Sequence, residues 1–369
     1  MKTNITVGIT HGDPNGIGYE VILKALEDNR ILELCTPVVY GSAKAASFYR
    51  KALDLPPMQM QQISSAADLR EGQYNIVNVV GEDFKPEPGQ PSKTSGEAAL
   101  AALERAVADL RSGAIDVLVT APINKAVIHS DKFNFPGHTE YLEDALGHTD
   151  GADAKAMMIL FNEHVRVALA TVHLPIAKVP AAITTERLTD QILRLNNTLK
   201  TDFCIPRPRI AVLGLNPHSG DGGLLGSEEA DVIIPAIENA KAQKVLCFGP
   251  YAADGFFGAA SYRHFDAVIA MYHDQGLAPL KTLGMDSGVN FTAGLPFVRT
   301  SPDHGTAYDI AGKGEASADS MRQAIYSAID IYRNRAASAE IAANPLKKQY
   351  YEKNKSDNVV LDLKSDNNE

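Results

Sequence analysis

Short apolar runs alternate with helix-period segments along almost the whole chain. ITVGIT at 5–10 reads as a buried strand, HGDPNGIG as a loop and YEVILKALED as a helix. PVVYG is a second short strand. Beyond the Gly/Pro-rich stretch FKPEPGQPSKTSG, the segment EAALAALERAVADL places Leu100, Leu103, Val107 and Leu110 on one face at spacings of three and four, which predicts an amphipathic helix. IDVLVT, VRVALATV, RIAVLGL, VLCFG and FDAVIAMY read as further strands, with helical segments such as EEADVIIPAIENAKAQ between them. MRQAIYSAIDIYRN carries Met321, Ile325, Ala328, Ile329 and Tyr332 on one stripe and predicts the last core helix. This alternation predicts an α/β fold, with a mainly parallel sheet covered by helices on both faces. Past Pro345 the chain turns polar and charged, and 346–369 is expected to be a peripheral tail.

Composition narrows the function. The chain has 369 residues, enough for two or three domains, and 45% of them are hydrophobic, enough for a large core. A net charge of -10 argues against a nucleic-acid surface but leaves room for one small basic pocket. No apolar run approaches the roughly 20 residues of a membrane span, and MKTNITVGIT lacks the apolar stretch of an export signal. The cysteines, Cys35, Cys204 and Cys247, are odd in number and far apart, so a reducing cytoplasm is the expected setting.

The chemistry sits in loops after strands, where open α/β sheets bind ligands. His173, His218 and His273 each end an apolar run (ALATVH, IAVLGLNPH, AVIAMYH), and three imidazoles can hold a divalent cation with a coordination position to spare. No local motif such as H-E-x-x-H supports that set. Gly12, Gly16 and Gly18 in HGDPNGIGYE allow close backbone approach to a ligand, although the loop equally suits a tight turn and lacks the G-x-G-x-x-G fingerprint. In FPGHTEYLEDALG, His138 and Thr139 either bond an anion or, for Thr139, cap a helix whose first turn holds Glu140. NPHSGDGGLLG crowds glycines after a strand, as an active-site loop does. MYHDQGLAPLK carries His273, Asp274 and Lys281, and Asn290 and Arg299 come next at intervals of nine; the two cations with Asn290 can hold a phosphate and a carboxylate. The last loop, SPDHGTAYDIAGKG, combines His304, Gly305, Thr306 and Asp309 in a stretch able to wrap an adenosine.

Together, GDPNGIGYE, APINK, FPGHTEYL, TVHLP, GLNPHSGDGG, GPYAADGFF, YHDQGLAPLK and GLPFVRTSPDHGTAYDIAGKG resemble, in order, the 4-hydroxythreonine-4-phosphate dehydrogenase family of pyridoxal phosphate biosynthesis. The last loop is also similar to the adenosine-binding stretch of isocitrate and isopropylmalate dehydrogenases. The resemblance implies a two-domain α/β/α fold of that superfamily with the active site in the cleft. Residues 1–125 and 276–345 would form an outer domain with dinucleotide-binding loops, and 126–275 an inner domain with the metal ligands and dimer contacts. It implies a cytoplasmic homodimer whose sites take residues from both subunits. It assigns the metal to His173, His218 and His273, substrate binding to His138, Thr139, Lys281, Asn290 and Arg299, and NAD binding to Gly12, Asp13, His304, Gly305, Thr306 and Asp309. Zinc suits three imidazoles best, with magnesium or cobalt as alternatives. The reaction would be NAD-dependent oxidation of 4-phosphooxy-L-threonine at C3 and decarboxylation to 3-amino-2-oxopropyl phosphate. Lys281 is the first candidate for proton transfer and Asp274 the second; Lys281 could equally serve as an anion clamp. Alternatives are the same chemistry on erythronate or threonate 4-phosphate, or a non-catalytic metal- or phosphate-binding protein.

Overall fold

The computed structural model describes residues 4–131, 133–149 and 152–343; the tail expected at 346–369 lies outside them. The strands are β1 (Ile5–Thr10), β2 (Cys35–Gly41), β3 (Met60–Ile63), β4 (Tyr74–Asn78), β5 (Val117–Thr120), β6 (His148–Thr149), β7 (Ala152–Asp153) and β8 (Met157–Phe161). They continue with β9 (Arg166–Leu169), β10 (Arg209–Leu213), β11 (Leu246–Tyr251), β12 (Ala267–Ala270), β13 (Val289–Ala293) and β14 (Val298–Pro302). The helices are α1 (Gly18–Ala25), α2 (Ala43–Ala52), α3 (Lys93–Ser112), α4 (Lys125–Ile128), α5 (His138–Leu146) and α6 (Val179–Ala182). After them come α7 (Thr185–Thr201), α8 (Ile234–Ala242), α9 (Ala253–Gly258), α10 (His273–Gly284) and α11 (Asp319–Ala343).

Twelve strands form one sheet in the order β11-β10-β12-β9-β8-β13-β14-β5-β1-β2-β4-β3. The outer ladders are parallel, as the strand–helix alternation requires. The centre is not: β13 runs antiparallel to both β14 and β8, and β8 antiparallel to β9. β1 and β2 are buried at every position because helices cover both faces. The expected helix face on α3 is buried at Leu100, Leu103, Val107 and Leu110; Ser92 and Ser95 form its capping box, and Gly113 ends it at φ 77. On α11, Met321, Ile325, Ala328 and Ile329 are buried, whereas Tyr332 is half-buried and donates its hydroxyl to Asp116 at 3.3 Å.

The two faces of the sheet differ. One core unites residues such as Ile9, Val119, Ile159, Ala168, Val212 and Phe291 with α1, α7, α8 and α11 along one face. Alternate residues point to the other face and fall into two separate clusters. One joins Tyr40 and Leu118 to α3 and α5, and the other joins Leu160, Leu169 and Ala270 to α9 and α10. The central strands β5, β14, β13 and β8 lie between those clusters, and the main cavity of the site opens there.

Candidate functional site

The cavity has a volume of about 280 Å³, and its floor is strand backbone and side chains rather than loops. Thr120 of β5, Arg299 and Ser301 of β14, Asn290 of β13, and Met158 and Leu160 of β8 all line it. Register explains the set, since Asn290 pairs with both Ser301 and Leu160 across the ladders. With a side-chain period of two, these residues share one face. The walls come from α5 (His138, Thr139, Glu140) and α10 (His273, Leu277, Lys281), with Lys125, His173, Asp303, His304 and Gly305 at the rim.

Arg299 is 3% exposed. Its Nε donates to Thr120 Oγ1 at 3.1 Å and its Nη1 to Thr292 Oγ1 at 3.0 Å, while Nη2 also reaches Thr120. Two hydroxyls accept three of its five N–H groups, and among the described residues no carboxylate forms an ion pair with it. Burial therefore presses the guanidinium below its usual range, to about 9, opposed by Glu140. A buried cation of this kind calls for an anion. His138 is driven well below the ordinary imidazole range by burial first, then by Arg299 and Lys125, and is neutral at physiological pH. Lys281 Nζ lies 3.4 Å from the Asp303 carboxylate and 3.3 Å from its carbonyl oxygen. Burial raises the Asp303 carboxyl above its usual range, while Lys281 opposes that shift.

Among the described residues, several buried polar atoms of the cavity find no hydrogen-bond partner: His138 Nε2, Glu140 Oε2, Asn290 Oδ1 and His304 Nε2. Such atoms are costly inside a protein unless a ligand meets them. Their convergence on one cavity marks it as a binding site.

His173 and His273 both line the cavity, with ring centroids 6.1 Å apart. Asp274 Oδ1 is 2.6 Å from His273 Nδ1 and is itself largely exposed. Asp274 thus orients His273 and does not line the cavity. His218 is exposed and elsewhere, in a left-handed turn where His218, Ser219, Gly220, Asp221 and Gly222 all have positive φ. Buried Glu229 braces that turn by accepting from the Leu215 and Asn216 amides at 2.8 and 2.7 Å. Among the described residues of one chain, no three His, Cys, Asp or Glu side chains group to hold a metal.

The loops expected to carry a dinucleotide do meet. The Ile17 amide donates to Thr306 O at 3.0 Å, and Tyr308 donates to Asp13 Oδ2 at 2.7 Å. Asp13 also accepts from the Asn15 amide and from Ser95, so its carboxylate is occupied in shaping the loop. Gly12 (φ +67) has a structural reason of its own: a Cβ there would sit 2.3 Å from Pro122 O. His304 and Gly305 line the cavity, and Asp309 is exposed just beyond. The cap of α5 is Gly137, not Thr139, which leaves Thr139 free to face the cavity. Sequence reasoning gave no role to Lys125 and Asp303 and read Glu140 only as a helix-start acid. The APINK loop held the one available signal, a lysine after a strand.

Residues 33–328 match the family model described as pyridoxal phosphate biosynthetic protein PdxA. A 4-hydroxythreonine-4-phosphate dehydrogenase from Bacteroides thetaiotaomicron is 53% identical over 362 residues, 98% of either chain. One from Prosthecochloris aestuarii is 42% identical, covering 89% of this chain and 98% of its own. The crystal structure of 4-hydroxythreonine-4-phosphate dehydrogenase from Klebsiella pneumoniae superposes with a TM-score of 0.76 at 35% identity, over 89% of this chain and 98% of that one.

Proposed function

The chain belongs to the pyridoxal phosphate biosynthetic protein PdxA family, and on that premise we propose that it oxidises 4-phosphooxy-L-threonine at C3 and decarboxylates the product to 3-amino-2-oxopropyl phosphate. The observation that carries this reading is the buried Arg299, without an ion pair among the described residues, at the floor of a cavity whose wall bears two imidazoles. Arg299, Lys281, Asn290, His138 and Thr139 hold the anionic groups of the substrate. Neutral His138 serves as a hydrogen-bond partner rather than a cation.

The donors suit a divalent metal. His173 and His273 are close enough to share one, and the Asp274 carboxylate on His273 Nδ1 leaves Nε2 for coordination. His218 of a second copy would complete the set, with zinc the first choice and magnesium or cobalt compatible. Leu174 and Ile176 after His173, and Leu224 and Leu225 after His218, are exposed, which supports apolar subunit contacts beside those histidines in a homodimer. NAD would lie against Gly12, His304, Gly305, Thr306 and Asp309, with Asp13 shaping the loop. When bound, the metal supplies Lewis-acid polarisation of a substrate oxygen and NAD supplies a hydride acceptor. Of the two candidates for proton transfer, Lys281 lines the cavity: as an ammonium it clamps the anion, and only its neutral amine would accept the hydroxyl proton; Asp274 positions His273. No described helix is long and apolar enough to cross a membrane, and a cytoplasmic setting fits the free cysteines.

A substrate panel with NAD and zinc tests this. NADH absorbance should rise with 4-phosphooxy-L-threonine well ahead of erythronate or threonate 4-phosphate. Preference for either sugar acid would change the substrate, and no NADH from any of them would leave a binding protein.

A further inference from the structure

Glu140 is out of place by charge. The cavity gathers Arg299, Lys125 and Lys281, and a carboxylate there repels the anion they attract. The other lining carboxylate, Asp303, is matched by Lys281. Among the described residues, the ion pair of Glu140 is instead to His173, with Oε1 3.8 Å from Nδ1. That separation exceeds a formed charge-assisted bond by roughly 1 Å. The other oxygen, Oε2, is buried and has no hydrogen-bond partner among the described residues. Glu140 is the third residue of α5, so the helical turn that offers His138 and Thr139 to the cavity also delivers Glu140 to His173.

A metal-binding imidazole needs its second nitrogen engaged by an acceptor, which fixes the tautomer and the ring orientation. For His273 that acceptor is Asp274. We propose that Glu140 is the corresponding positioning residue for His173, keeping the proton on Nδ1 so that Nε2 is free for the cation. This rests on the metal reading above, and it ties the anion-binding turn of α5 to the metal end of the cavity.

The test reads the tautomer directly. ¹⁵N imidazole spectra of the full-length, metal-free protein are recorded well above the imidazole titration range, with His173 identified by its loss in His173→Gln. Wild type should show the Nδ1–H form at His173, and Glu140→Ala should return it to the Nε2–H form. Zinc affinity, measured by chelator competition, should fall about 10- to 100-fold in Glu140→Ala. Should that variant fail to fold, Glu140→Gln, which keeps the size and an acceptor but loses the charge, should still lose zinc affinity severalfold. An Nε2–H tautomer already present in wild type would overturn the inference, as would zinc affinity unmoved in the folded variants. Wild type that binds no divalent cation would defeat the metal reading of the function, while the tautomer would still decide the role of Glu140.

Discussion

At its cationic end the cavity is built from strands, and at its imidazole end from loop and helix-start residues beyond the strand termini. Arg299, Asn290, Thr292 and Thr120 sit in registered ladders, so hydrogen bonds on both sides fix where each side chain points. His173 comes after β9, His273 opens α10 after β12, and His218 lies in a left-handed turn after β10. The first group is complete within one chain. The second is not: two of its rings approach each other and the third is exposed. A rigid sheet can define a charge receptor alone, whereas the proposed loop ligands at an exposed apolar rim would need another copy of the chain to complete them.

Separate mutations of the two ends test that division. His273→Ala should abolish metal binding and lower turnover by about a thousandfold, in line with the several kcal/mol a Lewis acid supplies. Inorganic phosphate should still bind, as judged by calorimetry; loss of both would mean the ends are not separable. Arg299→Lys keeps the charge but loses the planar fork, and should raise KM for the phosphorylated substrate about hundredfold with metal content unchanged. An unaltered KM would remove Arg299 from substrate binding.

The scaffold beneath the cationic end has its own signature in pH. His11 is fully buried, with Nε2 3.2 Å from Ala98 O, and burial lowers it from 6.5 to about 4. The unfolded chain therefore takes up a proton that the folded one resists. Its effect is absent above pH 6.5 and grows as pH falls toward 4, reducing stability by up to about 3 kcal/mol. Urea unfolding across that range should show a shallower loss for His11→Gln than for wild type; equal slopes would contradict the assignment. The smallest effect is expected at Lys125, which lies at the exposed rim. Lys125→Met should raise KM roughly fivefold, with a reduced salt dependence.

The same contrast decided what could be read from the sequence. β1, β2, β5, β9, β10, β11 and β12 were legible because most are short apolar runs with helices between them. β13 and β14, in the floor of the site, were not, and β8, although an apolar run (MMILF), was not singled out either. VNFTA and VRTSP carry Asn290, Thr292, Arg299 and Ser301 because one face of these strands meets the cavity rather than a helix, and that breaks the apolar pattern. α10 was hidden for a related reason: Gly276 and Pro279 interrupt its helical signal, although Gly276 is required where a Cβ would lie 2.6 Å from Val167. The imidazoles were visible as strand-end residues; their spacing did not show that His218 stands apart from the other two within one chain, and only the family resemblance implied sites built from both subunits. Lys125 and Glu140 escaped because a lysine in a loop and a glutamate in a first helical turn have ordinary explanations.

Subunit complementation tests the central claim most directly. His173→Ala and His218→Ala proteins, each inactive alone, are unfolded together, refolded as a mixture and assayed for NADH formation with 4-phosphooxy-L-threonine and zinc. If His218 of one copy completes the site of another, random pairing gives one intact site in each mixed dimer and restores about a quarter of wild-type activity. A mixture as inactive as its components, with mixed dimers demonstrably formed, would contradict a metal site shared between chains.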